Sequence, residues 1–348
     1  MAREIDGLSR RSLLKATSGS FISVPLVSRH VRANESSRVI ITDKYKNIPI
    51  ATEEVSGRWY NQIQNARVGV RRLEDEYQGE PWLVSIGQKG GDERINGLRF
   101  HKIKLGITSF DDAPDDLPSE SNGVSVEVVE EDYPNTECIT TCSCVKGGSD
   151  INYGMSNGCT VEEPTWGLGI ITAAHGFGDC GDDIEDSEVT SCPSGDSGKI
   201  GRVEQYSWSH DFAYAVETSD AEISGLDNEI ISANYEVQGH ITEDGIDHMI
   251  SNDEVAHKYG QTTCHTQGIV QDKVSYDNCN NGTSVTYITT GANSDSGDSG
   301  SPHYRNRDNY GVTTVVGVHH GSTSNAWASA AFEINNNFGI EFTNSTSC

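Results

Sequence analysis

The chain has 348 residues, enough for one large core or two modest ones. Its 52 acidic residues against 25 basic ones give a net charge of −27, which argues against nucleic acid or an anionic membrane as partner, since both are polyanions. Low hydrophobicity with high charge can signal disorder, but 36 glycines, 13 tyrosines and recurrent Val/Ile runs predict a folded, β-rich protein.

Residues 1–33 read as an export signal. Ser9-Arg10-Arg11-Ser12-Leu13-Leu14-Lys15 resembles the twin-arginine motif, followed by a weakly apolar stretch from Ala16 to Val27 and a cleavage candidate at Val31-Arg32-Ala33. That stretch is too short and too polar for a spanning helix, and no cysteine lies beside it to carry a lipid. The expected location is therefore extracellular. The acid excess resembles that of secreted proteins from extreme halophiles, whose surface carboxylates stay hydrated in strong salt.

Residues 34–137 carry no catalytic motif. Arg58 to Glu76 predicts a helix with Trp59, Ile63, Val68 and Val70 on its apolar face. Pro81–Ile86 and Leu98–Leu105 predict strands joined through Lys89-Gly90-Gly91-Asp92, a polar run from Asp111 to Asn122 predicts a linker, and Val124–Val129 predicts one more strand. This is the layout of a small α+β pro-segment or of a retained accessory domain. The acidic run from Glu130 to Glu137 is the expected place for its removal.

From Cys138 onward, short strands alternate with Gly/Asn/Asp turns, the pattern of an all-β barrel or sandwich. Three local motifs follow one another in this part. Ile170-Ile171-Thr172-Ala173-Ala174-His175 is an apolar strand ending in a histidine. His210-Asp211-Phe212-Ala213 brings an aspartate into an alternating strand. Gly297-Asp298-Ser299-Gly300-Ser301-Pro302 places a serine between glycines that permit a tight turn. A serine attacks a carbonyl only with a neighbouring base and with N–H groups aimed at the oxyanion, and this set contains each part. A second Gly195-Asp196-Ser197-Gly198 falls between His175 and Asp211 and reads as a loop coincidence, because Gly, Asp and Ser also make ordinary turns.

The order Thr-Ala-Ala-His, Asp-x-Ala, Gly-Asp-Ser-Gly-x-Pro resembles the chymotrypsin-like serine proteases over roughly the last 200 residues. The resemblance implies a double β-barrel in residues 138–348, with peptide or protein substrates and no cofactor. It casts His175, Asp211 and Ser299 as the triad, with the backbone N–H groups of Gly297 and Ser299 as the oxyanion hole. Lys258-Tyr259-Gly260-Gln261-Thr262-Thr263-Cys264 resembles the streptogrisin pattern Lys-x-Gly-x-Thr-Thr-Gly, with Cys264 where glycine is expected. Asn293, six residues before the nucleophile, stands where trypsin-like members hold aspartate, so specificity for Lys or Arg is not expected. Gly317-Val318-His319 matches the Gly-x-His of glutamyl endopeptidases, and Ser296 and Ser322 occupy positions that line the pocket in some of them. The implied preference is glutamate before the scissile bond, with His320 alternating away from the pocket. The other outcomes are a same-fold protease for small or aromatic residues and a silent binding module. An α/β-hydrolase elbow is disfavoured because Ser301 replaces its last glycine.

Nine cysteines, at 138, 142, 144, 159, 180, 192, 264, 279 and 348, fit an oxidising compartment. Cys159 and Cys180 flank His175, and the resemblance implies a bridge closing that loop. Cys264 and Cys279 are placed to staple a hairpin. A zinc site at Cys138, Cys142 and Cys144 lacks a suitably spaced histidine. The acidic run from Asp179 to Glu188 reads as a solvated loop.

Overall fold

Trp59, Ile63, Ala66 and Leu73, spaced four, three and seven apart, are why residues Gly57–Tyr77 form a helix with one buried face. Ser56 Oγ accepts the Trp59 N–H at 3.1 Å and fixes where the helix starts. Val68, expected on the apolar face, is exposed, and Ala66 and Leu73 take that role. The computed structural model describes residues 37–348, apart from 131–143, 192–197 and scattered single or paired positions. The export signal, residues 131–137 of the acidic cleavage run, Ser197 and Cys138, Cys142, Cys192 and Cys348 therefore lie outside the described residues.

The two strands expected to meet at Lys89–Asp92 do not turn there. Leu83–Ile95 runs straight through those residues as one strand, with an irregularity between Gly90 and Arg94, and pairs with Leu98–Ile107. The turn falls on Asn96-Gly97, with φ +51° and +92°, the two left-handed residues that suit the twist of a two-residue hairpin. Val124–Glu130 then adds in parallel beside Leu98–Ile107.

Most of the described strands lie in two sheets, one of 13 strands and one of 8. The eight-stranded sheet is an open half-barrel built from the strands between Asp150 and Glu217, with Glu341–Phe342 at its edge beside Cys159–Glu163. The larger sheet carries the strands from Val237 to Ala330 at its centre. Strands from the first third of the chain flank it on both sides: Asp43 sits opposite Ile241 at one, and Lys89 opposite Asp272 at the other. The fold is the double β-barrel of chymotrypsin type, with its second barrel extended by residues 37–130.

Phe212, Tyr214, Val315, Val318, Ile340 and Phe342 form a core between the two barrels. Burying such side chains contributes about 1.5–3 kcal/mol each, which holds the barrels face to face. No described helix is long and apolar enough to cross a membrane.

Cys180 pairs with Cys279, joining the loop after His175 to a loop of the second barrel. The expected Cys159–Cys180 and Cys264–Cys279 pairs are thereby overturned. Cys159 is a free, buried thiol whose pKa burial pushes up, so it is an inert core residue. Cys144 and Cys264 are also disulfide-bonded.

Candidate active site

Strand register brings the candidate base and acid together. Gly167–Thr172 pairs antiparallel with Phe212–Glu217, and Thr172 lies opposite Ala213, so the residues beyond Thr172 and before Phe212 emerge at one end of the sheet. His175 follows in a single 3₁₀ turn, and Asp211 immediately precedes its strand with φ +45°. The His175 backbone N–H donates to Asp211 Oδ1 at 2.9 Å, and Nδ1–H donates to Oδ2 at 2.6 Å. With that proton on Nδ1, Nε2 carries the lone pair, and Ser299 Oγ–H donates to it at 2.8 Å.

Ser299 comes from the second barrel and is held by the first. Ser156 N–H donates to Ser299 O at 2.8 Å, and Ser156 Oγ–H donates to Gly297 O at 2.9 Å. The glycines on either side of Asp298-Ser299 are obligatory. A Cβ on Gly300 (φ +87°) would lie 2.1 Å from Thr172 Oγ1, and one on Gly297 (φ +95°) 2.3 Å from Thr262 Oγ1. The N–H groups of Asp298, Gly300 and Ser301 are spent on Asp295 O, His319 O and Asp298 O. Those of Gly297 and Ser299 make no hydrogen bond among the described residues, as an oxyanion hole requires.

Asp298 fixes the turn from below. Its carboxylate, 0% exposed, accepts Lys258 Nζ at 2.6 Å, the N–H groups of Thr262 and Thr263 at 3.0 Å and Thr263 Oγ–H at 2.6 Å. Lys258 is also 0% exposed, and burial lowers its pKa against the pull of Asp298. The turn thus draws its counter-charge from inside the barrel. The stretch Gln261–Cys264 that supplies these donors includes Cys264 at φ +54°, the left-handed conformation that explains a glycine in the resembling pattern.

Burial alone would raise the Asp211 pKa. The imidazoles of His175 and His320 outweigh it and hold the carboxyl well below the usual carboxylate range. For His175, burial opposes the proton, but the charge and hydrogen bond of Asp211 prevail, and its pKa is raised.

His320 corrects the sequence reading. Its side chain does point away from that of His319, but that face meets the acid: Nδ1–H donates to Asp211 Oδ2 at 2.6 Å. Alternation along a strand was legible; what the opposite face would touch was not. His175, Asp211 and His320 are also a group of donor atoms, all within 4.8 Å of one another, of the kind that can hold a metal, and their mutual hydrogen bonds account for the grouping.

His319 lies on the strand Val312–Ser322, pinned beside the nucleophile because its O accepts Gly300 N–H at 2.8 Å and its N–H donates to Ser301 O at 2.8 Å. Its ring is 1% exposed and stacks on that of buried His303, with Nδ1 3.1 Å from His303 Nε2. Burial drives His303 down to about 3 and His319 well below its ordinary value, so both rings are neutral near pH 7. The sequence reading named His319 and missed His303, which carries no motif and meets it only through the pairing of Pro302–Arg307 with Val312–Ser322. Ser296 is exposed beside the nucleophile turn, and Ser322 is half-buried at the end of the His319 strand.

No family model and no curated protein matches this chain. Solved structures do match. Thermobifida fusca protease A is 21% identical with a TM-score of 0.38, over 57% of this chain and 97% of that one. A glutamic acid specific serine protease, described as using a histidine triad in substrate binding, is 20% identical with a TM-score of 0.40, over 57% and 99%. Cellulomonas bogoriensis chymotrypsin is 19% identical with a TM-score of 0.38, over 58% and 99%. These neighbours are serine proteases, at similarities too low to assign an activity to this chain.

Proposed function

We propose that the chain is a serine endopeptidase that cleaves after glutamate, with aspartate weaker. The continuous relay Ser299 Oγ–His175 Nε2 and His175 Nδ1–Asp211 Oδ2, at 2.8 and 2.6 Å, carries the reading. Ser299 Oγ bonds to the peptide carbonyl carbon while its proton passes to His175 Nε2. The imidazolium, steadied by Asp211, returns that proton to the amine as the peptide C–N bond breaks. Water, deprotonated by the same nitrogen, then releases the acyl group. The oxyanion rests on the N–H groups of Gly297 and Ser299.

A glutamate side chain entering a pocket loses its water, which is costly unless donors replace it. His319, Ser296 and Ser322 supply those donors. His319 serves as a neutral N–H donor, since burial keeps it unprotonated, and His303 behind it fixes its orientation.

The enzyme is also proposed to be exported, on the twin-arginine pattern, and to be adapted to salt, on the −27 charge. Residues 37–130 share strands with the catalytic sheet on both sides. This supports a segment that stays docked after any cut in the acidic run.

Paired variants test the reading. Ser299→Ala should lower peptide hydrolysis by on the order of 10⁴-fold or more, and Ser197→Ala should leave it nearly intact. Equal loss in both, with both folded, would overturn the assignment.

A further inference from the structure

The loop after His175 and the turn before Asp211 are both held from the other barrel. Cys180, shortly after His175, is bridged to Cys279 of the second barrel. Cys159, the cysteine expected to close this loop within its own barrel, is a buried free thiol. Asp211 N–H donates to Trp208 O at 3.3 Å, closing the turn that leaves Asp211 at φ +45°. The same Trp208 O accepts Asn278 Nδ2–H at 2.8 Å, and Ser209 O accepts Tyr287 Oη–H at 3.0 Å. Asn278 precedes Cys279, so one short stretch of the second barrel reaches both loops.

That stretch has a fixed shape of its own. The Asp277 carboxylate accepts the N–H groups of Cys279 and Asn281 at 3.2 Å and of Gly282 at 2.7 Å. Trp208 Nε1–H donates to Asp182 O at 2.9 Å, which ties the two loops of the first barrel to each other. One covalent tie and several hydrogen bonds thus close a ring around base and acid. Cys180 is exposed and Cys279 half-buried, so a small dithiol can reach the bridge.

We propose that Asn278 and Cys279 form a redox-sensitive clamp that positions His175 and Asp211 for the reaction above. The inference rests on the proposed peptidase reading and makes its rate depend on the Cys180–Cys279 bridge. A dithiol opens the clamp in two exchanges. Its first thiolate attacks one bridge sulfur, and the S–S bond breaks to a mixed disulfide and one free thiol. Its second thiolate then displaces the other cysteine, and the dithiol leaves as its own cyclic disulfide. Two electrons and two protons have passed to Cys180 and Cys279. The stretch carrying Asn278 is then free to move from Trp208 O, and the turn that aims Asp211 loses its outer support.

The test measures kcat, KM and the pH midpoint of activity on a single peptide substrate. Wild type is compared before and after treatment with dithiothreitol, and with the double variant Cys180→Ser/Cys279→Ser. Misplacing base and acid should lower kcat of the reduced protein and of the variant by about 10- to 100-fold. KM should stay within about twofold, because no substrate contact is removed. His175 faces Asp211, Ser299 and the His320 ring, and Asp211 raises its pKa. Looser contact should therefore move the pH midpoint down towards about 6.5, a change that lost stability alone would not produce. Reoxidation in air should restore wild type, and dithiothreitol should leave the variant unchanged.

A folded double variant with wild-type kcat and pH midpoint would overturn the proposal. So would a variant that loses as much on reduction as wild type does, since the effect would then belong to the bridged Cys144 or Cys264. Where neither the reduced protein nor the variant folds, Asn278→Ala decides with the bridge intact. Its kcat should fall by about 2- to 10-fold, and a wild-type kcat would overturn the clamp. Wild type and Ser299→Ala are run beside them. If those two do not differ, the peptidase reading itself falls; if they differ and the clamp variants are unaffected, only the clamp falls.

Discussion

The two barrels contribute opposite halves of the site and are held together by different physics. The first, which carries His175 and Asp211, has an apolar core, and its lysine and arginine ion pairs lie at the surface: Lys199 with Asp220, Arg202 with Asp186. The second, which carries Ser299 and His319, is crossed by buried ion pairs. Lys258–Asp298 lies wholly inside it. Three others reach into residues 37–130: Arg67 to Asp247, Lys104 to Asp272 and Arg307 to Asp43. Surface pairs contribute little, whereas a buried pair that loses one partner leaves an uncompensated charge. Disturbance of the first third of the chain should therefore reach the nucleophile before it reaches the base.

The sharpest way to break this contrast is Lys258→Met, which strands the Asp298 carboxylate beneath the nucleophile turn. Stability should fall by about 3–5 kcal/mol in denaturant unfolding, with peptide hydrolysis lost in whatever remains folded. An unfolding midpoint close to wild type would show that the buried pair does not hold the turn.

His319→Ala should lower kcat/KM for glutamyl peptides by roughly 10- to 150-fold, with little change for phenylalanyl or leucyl peptides. A digest of a peptide library measures both at once. Unchanged glutamate preference without His319 would leave the nucleophile half of the second barrel intact and remove its specificity role.

A matched pair then compares the regions directly. Arg67→Leu, about 180 residues in sequence from Asp247, should cost about 1.5–3 kcal/mol, because Asp247 still keeps Lys273 at 3.1 Å. Lys199→Ala, at the surface of the first barrel, should leave the unfolding midpoint where it was. Equal effects would erase the distinction between the barrels.

What was legible in the sequence is what is local or ordered along the chain. His175, Asp211 and Ser299 each lie close to a strand end and carry their own short motif, so their order sufficed to single them out as candidates, which the fold brings within hydrogen-bond distance. The helix at Gly57–Tyr77 announced itself by periodicity. The turn at Asn96-Gly97 was legible and missed, because the glycines at 90 and 91 drew the eye to an irregularity inside a strand. The remainder depends on pairings no local pattern encodes. Cys180 meets Cys279 across 99 residues, and His320 meets Asp211 across 109. Lys258 meets Asp298 only because the strands Val255–Gly260 and Pro302–Arg307 are neighbours.

The central claim, that Ser299 is a nucleophile activated by His175, is tested most directly by labelling with a fluorophosphonate probe across a pH series. One adduct is expected, on Ser299, and none in His175→Ala. Neutral His175 must accept the serine proton, and its pKa is raised by Asp211. The labelling rate should therefore be lost as pH falls through a midpoint above the ordinary histidine value of about 6.5. An adduct on another residue, no adduct in folded protein, or equal labelling of wild type and His175→Ala would contradict the account.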